Sequence, residues 1–171
     1  MPLPYRVLFI CWGNICRSPT AEALLRRDVI GAGLTGQVEV DSAGVSGEHR
    51  GSPPDRRSQG EARRQGLDLS GQRARRVSDD DWKRFDLLLV ADDVVERTLL
   101  RQAPRRADRS KVARITDFLQ ADGAHAAARA TGEVPDPYYG GGDGFRDVFD
   151  LLEEASIGIL AQARTALAPG P

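Results

Sequence analysis

At 171 residues, with 24 Lys and Arg against 25 Asp and Glu, the chain has a net charge of −1 and enough length for one domain with a real hydrophobic core. Balanced charge argues against a general binder of nucleic acid or of an anionic membrane surface. Cys11 and Cys16 are the only cysteines, so no disulfide framework is expected, and with His49 and His125 as the only histidines they make a poor donor set for zinc.

Met1 to Tyr5 offers no charged segment leading into an apolar stretch, and the apolar run after Arg6 is too short to span a bilayer. Neither a signal peptide nor a membrane span is expected, and the expected location is the cytoplasm. Apolar runs then alternate with helical patterns, as in a parallel sheet built from βαβ units. Strands are predicted at Val7–Cys11, Val38–Ser42, Leu87–Ala91 and Val112–Ile115. Helices are predicted at Pro19–Ile30, Asp55–Gln65, Asp93–Gln102 and Phe145–Ala166, with a shorter one from Asp79 that Ser78 caps and whose Trp82 faces inward. Leu24, Leu25 and Val29 share one helical face, as do Val148, Leu151, Leu152, Ala155, Ile159 and Leu160. Pro104–Arg109 and Gln120–Val134 have no sustained period and read as loops. The expectation is one α/β domain over 1–171: a doubly wound, four-stranded parallel sheet with helices on both faces.

The segment with the most chemistry joins the first strand to the first helix: Cys11-Trp12-Gly13-Asn14-Ile15-Cys16-Arg17-Ser18. Five residues between a cysteine and an arginine make a loop of the size that curls round one tetrahedral oxyanion, its N–H groups forming a nest. Gly13 and Asn14 tolerate the positive φ that such a curl requires. Ser18 and Pro19 read as N-cap and first helical residue, which adds the positive end of a helix dipole. That field and a nearby guanidinium favour the thiolate, the nucleophilic form of cysteine. The planar fork of Arg17 suits two oxygens of a phosphoryl group. In doubly wound sheets, ligands bind outside the carboxyl ends of the strands, where Cys11 falls.

A group leaving phosphorus needs a proton donor, for which Asp136, followed by Pro137, is a candidate; on its own Asp136-Pro137 reads as a simple turn, and Tyr138, Tyr139, Gly140 to Gly142 and the family resemblance given below favour the donor. Proline keeps Asp136 out of the helical region, so its carboxyl is presented from an extended loop. Asp92 and Asp93 end the third strand and compete for the role, although capping the following helix is the preferred reading for them. Trp12, Ile15, Tyr138 and Tyr139 are candidates to line a slot for an aromatic ring, with Trp12 at its rim.

Taken together, Cys11 to Pro19, Asp41-Ser42-Ala43-Gly44 and Asp136-Pro137-Tyr138-Tyr139-Gly140 resemble the low-molecular-weight protein tyrosine phosphatases, particularly bacterial ones. The resemblance implies a phosphocysteine mechanism, without cofactor or metal, in which Cys11 attacks phosphorus, Arg17 clamps the phosphoryl group and Asp136 is acid and then base. It implies that Trp12, Gly13, Asn14, Ile15, Cys16, Ser18, Tyr138 and Tyr139 bind substrate or shape the loop. Ser42 resembles the family serine that bonds the loop asparagine, here Asn14. The implied partners are phosphotyrosine proteins and a cognate tyrosine kinase, with the enzyme a monomer.

Two departures stand out. Many relatives have a large apolar residue where this chain has Glu48 beside His49, so Trp12 is expected to supply that wall. Some eukaryotic members support the loop with a histidine where this chain has Gln72. Alternatives on the same scaffold are an arginine phosphatase, which resembles the family but carries threonine at the Ile15 position, and an arsenate reductase, which needs cysteines downstream of Cys16. A catalytically idle phosphopeptide-binding module would have no use for Asp136. Under oxidation, Cys16 is a candidate to capture Cys11 as a reversible disulfide.

Overall fold

The computed structural model describes residues 3–170. Four parallel strands, β1 (Tyr5–Cys11), β2 (Val38–Gly44), β3 (Leu87–Val90) and β4 (Val112–Arg114), form one sheet in the order β2-β1-β3-β4. Helices α1 (Arg17–Gly31), α2 (Arg56–Arg64), α3 (Asp79–Arg84), α4 (Asp93–Gln102), α5 (Ala126–Thr131) and α6 (Asp143–Leu167) surround it. Every predicted strand and helix is present, with no predicted end displaced by more than two residues.

Strand β1 is central and reads as a continuous apolar run because it is covered on both sides. Its alternation divides the core: Val7, Phe9 and Cys11 face α1 and α6, while Leu8 and Ile10 face Trp82, Phe85, Val95 and Leu99. The strand order reverses beside β1, so the loop after Cys11 opens at the switch point of the sheet.

Two local expectations are corrected. Helix α1 begins at Arg17, with Cys16 rather than Ser18 at the N-cap position. The Ser18 hydroxyl is instead engaged by Asn14 Nδ2 at 2.8 Å and lies 3.0 Å from Cys11 Sγ, so it is not available to cap. The segment Gln120–Val134 is not wholly irregular, because α5 forms within it. Its alanines have high helix propensity, and Gly132 ends it at φ +75°. The signal is weak because α5 buries no residue and so has no apolar period.

Candidate active site

The loop from Trp12 to Cys16 is held by its outward-facing carbonyls. Cys11 and Trp12 accept from Val45 and Ser46 at 3.1 and 2.9 Å, Ile15 accepts from Asp55 at 2.8 Å, and Cys16 accepts from the Thr20 hydroxyl at 2.8 Å. Among the described residues, none of the N–H groups from Gly13 to Arg17 makes a backbone hydrogen bond. This is the polarity of an anion nest. Asn14 supplies the positive φ, at +59°. Gly44 allows the loop to lie against β2: a Cβ there would sit 2.7 Å from the Trp12 carbonyl oxygen and 3.1 Å from Asn14 N.

Beneath the loop, Asn14 is fixed by three hydrogen bonds. Its Oδ1 accepts from Arg75 N at 3.0 Å, and its Nδ2 donates to Ser18 Oγ at 2.8 Å and to Ser42 Oγ at 3.0 Å. The Asn14–Ser42 bond is the one that the resemblance implied. Ser42 in turn donates to the buried carboxylate of Glu22 at 2.5 Å. Burial pushes the Glu22 carboxyl above its ordinary range, against the hydrogen bond from Ser42 and the charge of Arg26. Gln72 Nε2 donates to the Pro19 carbonyl at 3.0 Å, and its Oε1 has no partner.

Arg17 is the best-anchored cation of the site, only 2% exposed. Its Nη1 donates to Asp92 Oδ2 at 2.6 Å and to the Val134 carbonyl at 2.9 Å, while Nη2 lies 3.5 Å from Asp136 Oδ2. Burial works against its charge, but Cys11, Asp92 and Asp136 outweigh this and hold the guanidinium protonated. Asp92 also caps α4 by accepting from Val95 N at 2.8 Å. Capping is therefore confirmed for Asp92, and an anchoring contact to Arg17, invisible across 75 residues of sequence, is added.

Asp136 sits in extended backbone at φ −86° and ψ 110°, as Pro137 requires, and its Oδ1 accepts from Tyr138 N at 3.1 Å. Arg57 of α2 fastens this segment. Its Nη1 donates to the Tyr138 carbonyl at 3.1 Å, and its guanidinium lies 5.4 Å from the Tyr138 ring centroid and 4.6 Å from that of Phe145. Nothing in the local sequence distinguished Arg57 from its arginine neighbours.

Above Cys11 a cavity of about 290 Å³ opens, lined among others by Trp12, Ile15, Arg17, Asp136, Tyr138 and Tyr139. Trp12 stands at the rim, 40% exposed, its Nε1 donating to Glu48 Oε1 at 3.2 Å. His49 packs on Gly13 so closely that a Cβ there would lie 2.7 Å from its ring. Val94 completes the wall and was not anticipated. Asn14 and Ser18 lie behind the loop and not in this lining. Cys16 touches the cavity, but its thiol is pushed up to about 12, first by burial and against a hydrogen bond from Ser58. Cys11 and Cys16 are both free and buried. No group of three or more His, Cys, Asp or Glu side chains among the described residues is arranged to hold a metal. No helix among the described residues is long and apolar enough to cross a membrane.

A model of the low molecular weight phosphotyrosine protein phosphatases matches residues 6–167. The chain belongs to this family. It is similar to the low molecular weight protein-tyrosine-phosphatase of Streptomyces coelicolor, 41% identical over 162 residues that cover 95% of each protein. It is also similar to the crystal structure of YfkJ from Bacillus subtilis, with TM-score 0.84, 34% identity, and 96% and 98% of the two chains covered. A drosophila arginine phosphatase shares the fold with TM-score 0.80 and 26% identity over 96% and 99% of the two chains. The chain is therefore a cysteine-dependent protein tyrosine phosphatase of the low molecular weight type.

Proposed function

We propose that residues 1–171 form one phosphatase domain that hydrolyses phosphotyrosine in proteins through a phosphocysteine intermediate. One observation carries this reading. Cys11 lines a cavity whose wall also holds the buried Arg17 cation and, 3.5 Å from it, the Asp136 carboxyl group.

With Nη1 committed to Asp92 and Val134, Arg17 presents Nε and Nη2 to two phosphoryl oxygens, and the N–H groups of the loop take the rest of the charge. The Cys11 thiolate attacks phosphorus; the S–P bond forms as the P–O bond to the tyrosine ring breaks, and Asp136 delivers its proton to the departing oxygen. Water then attacks phosphorus and gives a proton to Asp136, and the S–P electron pair returns to Cys11. Ser18 Oγ, 3.0 Å from the sulfur, donates a hydrogen bond to this thiolate. Trp12, Tyr138 and Tyr139 flank the entering ring, and Ile15 lines the slot. A cytoplasmic, monomeric enzyme that opposes a tyrosine kinase is the matching cellular reading.

The arginine phosphatase alternative gains weight from the drosophila relative, while Ile15 and the paired tyrosines favour an aromatic phosphoester. Hydrolysis rates on matched phosphotyrosine, phosphoserine and phosphoarginine peptides decide between them. The expected order has phosphotyrosine fastest by at least tenfold, and a faster phosphoarginine peptide overturns the assignment. Cys11→Ser should abolish turnover on every peptide while phosphate still binds; turnover within tenfold of the parent would remove Cys11 as nucleophile.

A further inference from the structure

We propose that Glu22 is a positioning residue, whose carboxylate fixes the direction of a buried hydrogen-bond chain ending on the sulfur of Cys11. The chain runs from Glu22 Oε2 to Ser42 Oγ at 2.5 Å, from Ser42 Oγ to Asn14 Nδ2 at 3.0 Å, from Asn14 Nδ2 to Ser18 Oγ at 2.8 Å, and from Ser18 Oγ to Cys11 Sγ at 3.0 Å. All five residues are buried, none more than 4% exposed. The inference rests on the reading of Cys11 as the nucleophile.

Direction follows from donor and acceptor counting. Arg75 N is only a donor, so the group that it meets at 3.0 Å on Asn14 is the amide oxygen, and the amide nitrogen faces both serines. Both serine hydroxyls therefore accept from Asn14, and each must send its own proton elsewhere. Ser42 sends its proton to Glu22. Ser18 has Cys11 Sγ at 3.0 Å and the long Ala43 carbonyl contact at 3.4 Å, so its best acceptor is the sulfur. The thiolate thus receives a hydroxyl donor both when it attacks and when it leaves.

The opposite polarity is sterically available. If the Asn14 amide turns over, its oxygen accepts from both serines, and Ser18 donates to Asn14 instead of to sulfur. Arg75 N opposes this at one end and Glu22 opposes it at the other, because an ionised carboxylate only accepts. Without Glu22 the Ser42 proton has no fixed acceptor, and the reversed network becomes competitive. The charged and titratable groups around Glu22 are Arg26 on α1, 2.8 Å from Oε1, Asp41 on β2, and Arg75, which pairs with Asp41 and Asp81 at 3.0 and 2.8 Å. Arg26 neutralises the outer oxygen and leaves the inner one to Ser42.

The test is the rate at which iodoacetamide alkylates Cys11 at one fixed pH near neutrality, where Glu22 is ionised, located by peptide mapping and accompanied by kcat and KM on an aryl phosphate. Glu22→Met, similar in volume and unable to accept from Ser42, is expected to slow alkylation and kcat by about tenfold, the order of one hydrogen bond to a charged group. KM should change less, because Arg17 and the loop amides still hold the phosphate. Glu22→Gln keeps an acceptor oxygen and should recover most of the loss, which a purely volumetric role for Glu22 does not predict. In a Ser42→Ala background Glu22→Met should add nothing. If Glu22→Met fails to fold by circular dichroism, Ser42→Ala alone carries the test and must show the same slow alkylation. Unchanged alkylation in a folded Glu22→Met or Ser42→Ala protein overturns the proposal. An unreactive Cys11 in the parent overturns the nucleophile assignment itself.

Discussion

Arg17 has five N–H groups to place, and their allocation predicts that lysine will not replace it. Two are spent on Asp92 and Val134, which leaves an edge of Nε and Nη2 for phosphate. Arg17→Lys loses both the anchor and the fork, so kcat/KM is expected to fall by more than a hundredfold, with weaker competition by phosphate; a lysine variant near the parent rate would reduce Arg17 to a point charge. The two nearby carboxylates are separable by leaving group. Asp136→Asn should steepen the dependence of log kcat on phenol pKa, because poor leaving groups need the proton most. Asp92→Asn should lower the rate on all phenols alike and destabilise the protein by on the order of 3 kcal/mol, since it leaves the buried Arg17 charge underpaired. A slope change in the Asp92 variant alone would transfer the acid role to it. That Cys11, Arg17 and Asp136 belong together was legible in the sequence, because residue type at short spacing and the neighbouring proline mark them, and the fold brings all three to one cavity. Asp92 and Glu22 were not, because what they do depends on partners that only the fold brings near.

At the scale of elements, α2 is tied to the phosphate loop at its first turn. Asp55 N donates to the Ile15 carbonyl at 2.8 Å, and the Asp55 side chain caps α2 by accepting from Arg57 N at 2.8 Å. The Arg57 side chain, with the N–H groups of Arg57 and Ser58, holds the Asp55 carboxyl below its usual range, against burial. A depressed carboxyl contributes stability above its unfolded value and loses it as pH falls through the folded one. Asp55→Ala should therefore cost about 1 kcal/mol near neutral pH. The gap to the parent should narrow below about pH 4, where the unfolded carboxyl protonates. Urea melts at both pH values check this, and a gap that persists in acid would assign the cost to packing instead. The continuous apolar run of β1 and the apolar faces of α1 and α6 could be read from sequence, because burial writes a run into a strand covered on both sides and a helical period into a helix covered on one. The start of α1 at Arg17 could not, because the serine that looks like a cap is drawn under the loop by Asn14 and Cys11.

Across the whole molecule, the proposed anion site joins segments far apart in the chain: the loop after β1, the β2 end through Gly44 and Ser42, the β3 end through Asp92, and the Asp136 segment before α6. A phosphate or vanadate ion that binds only the folded chain must stabilise all of these together. At a hundred times its dissociation constant the ion adds about 2.7 kcal/mol. For a domain of this size each kcal/mol raises Tm by about 2–4 °C, so a rise of roughly 5–10 °C is expected. Cys11→Ser should keep most of that rise with inorganic phosphate, because the loop amides and Arg17 remain. Arg17→Lys should lose most of it even if its Tm without anion is unchanged. Thermal melts of the three proteins across a phosphate series read the effect without any substrate, and so independently of which phosphoprotein the enzyme meets. Equal rises in the parent and the lysine variant would mean that the anion binds elsewhere, and the cavity above Cys11 would lose its claim to be the phosphate site.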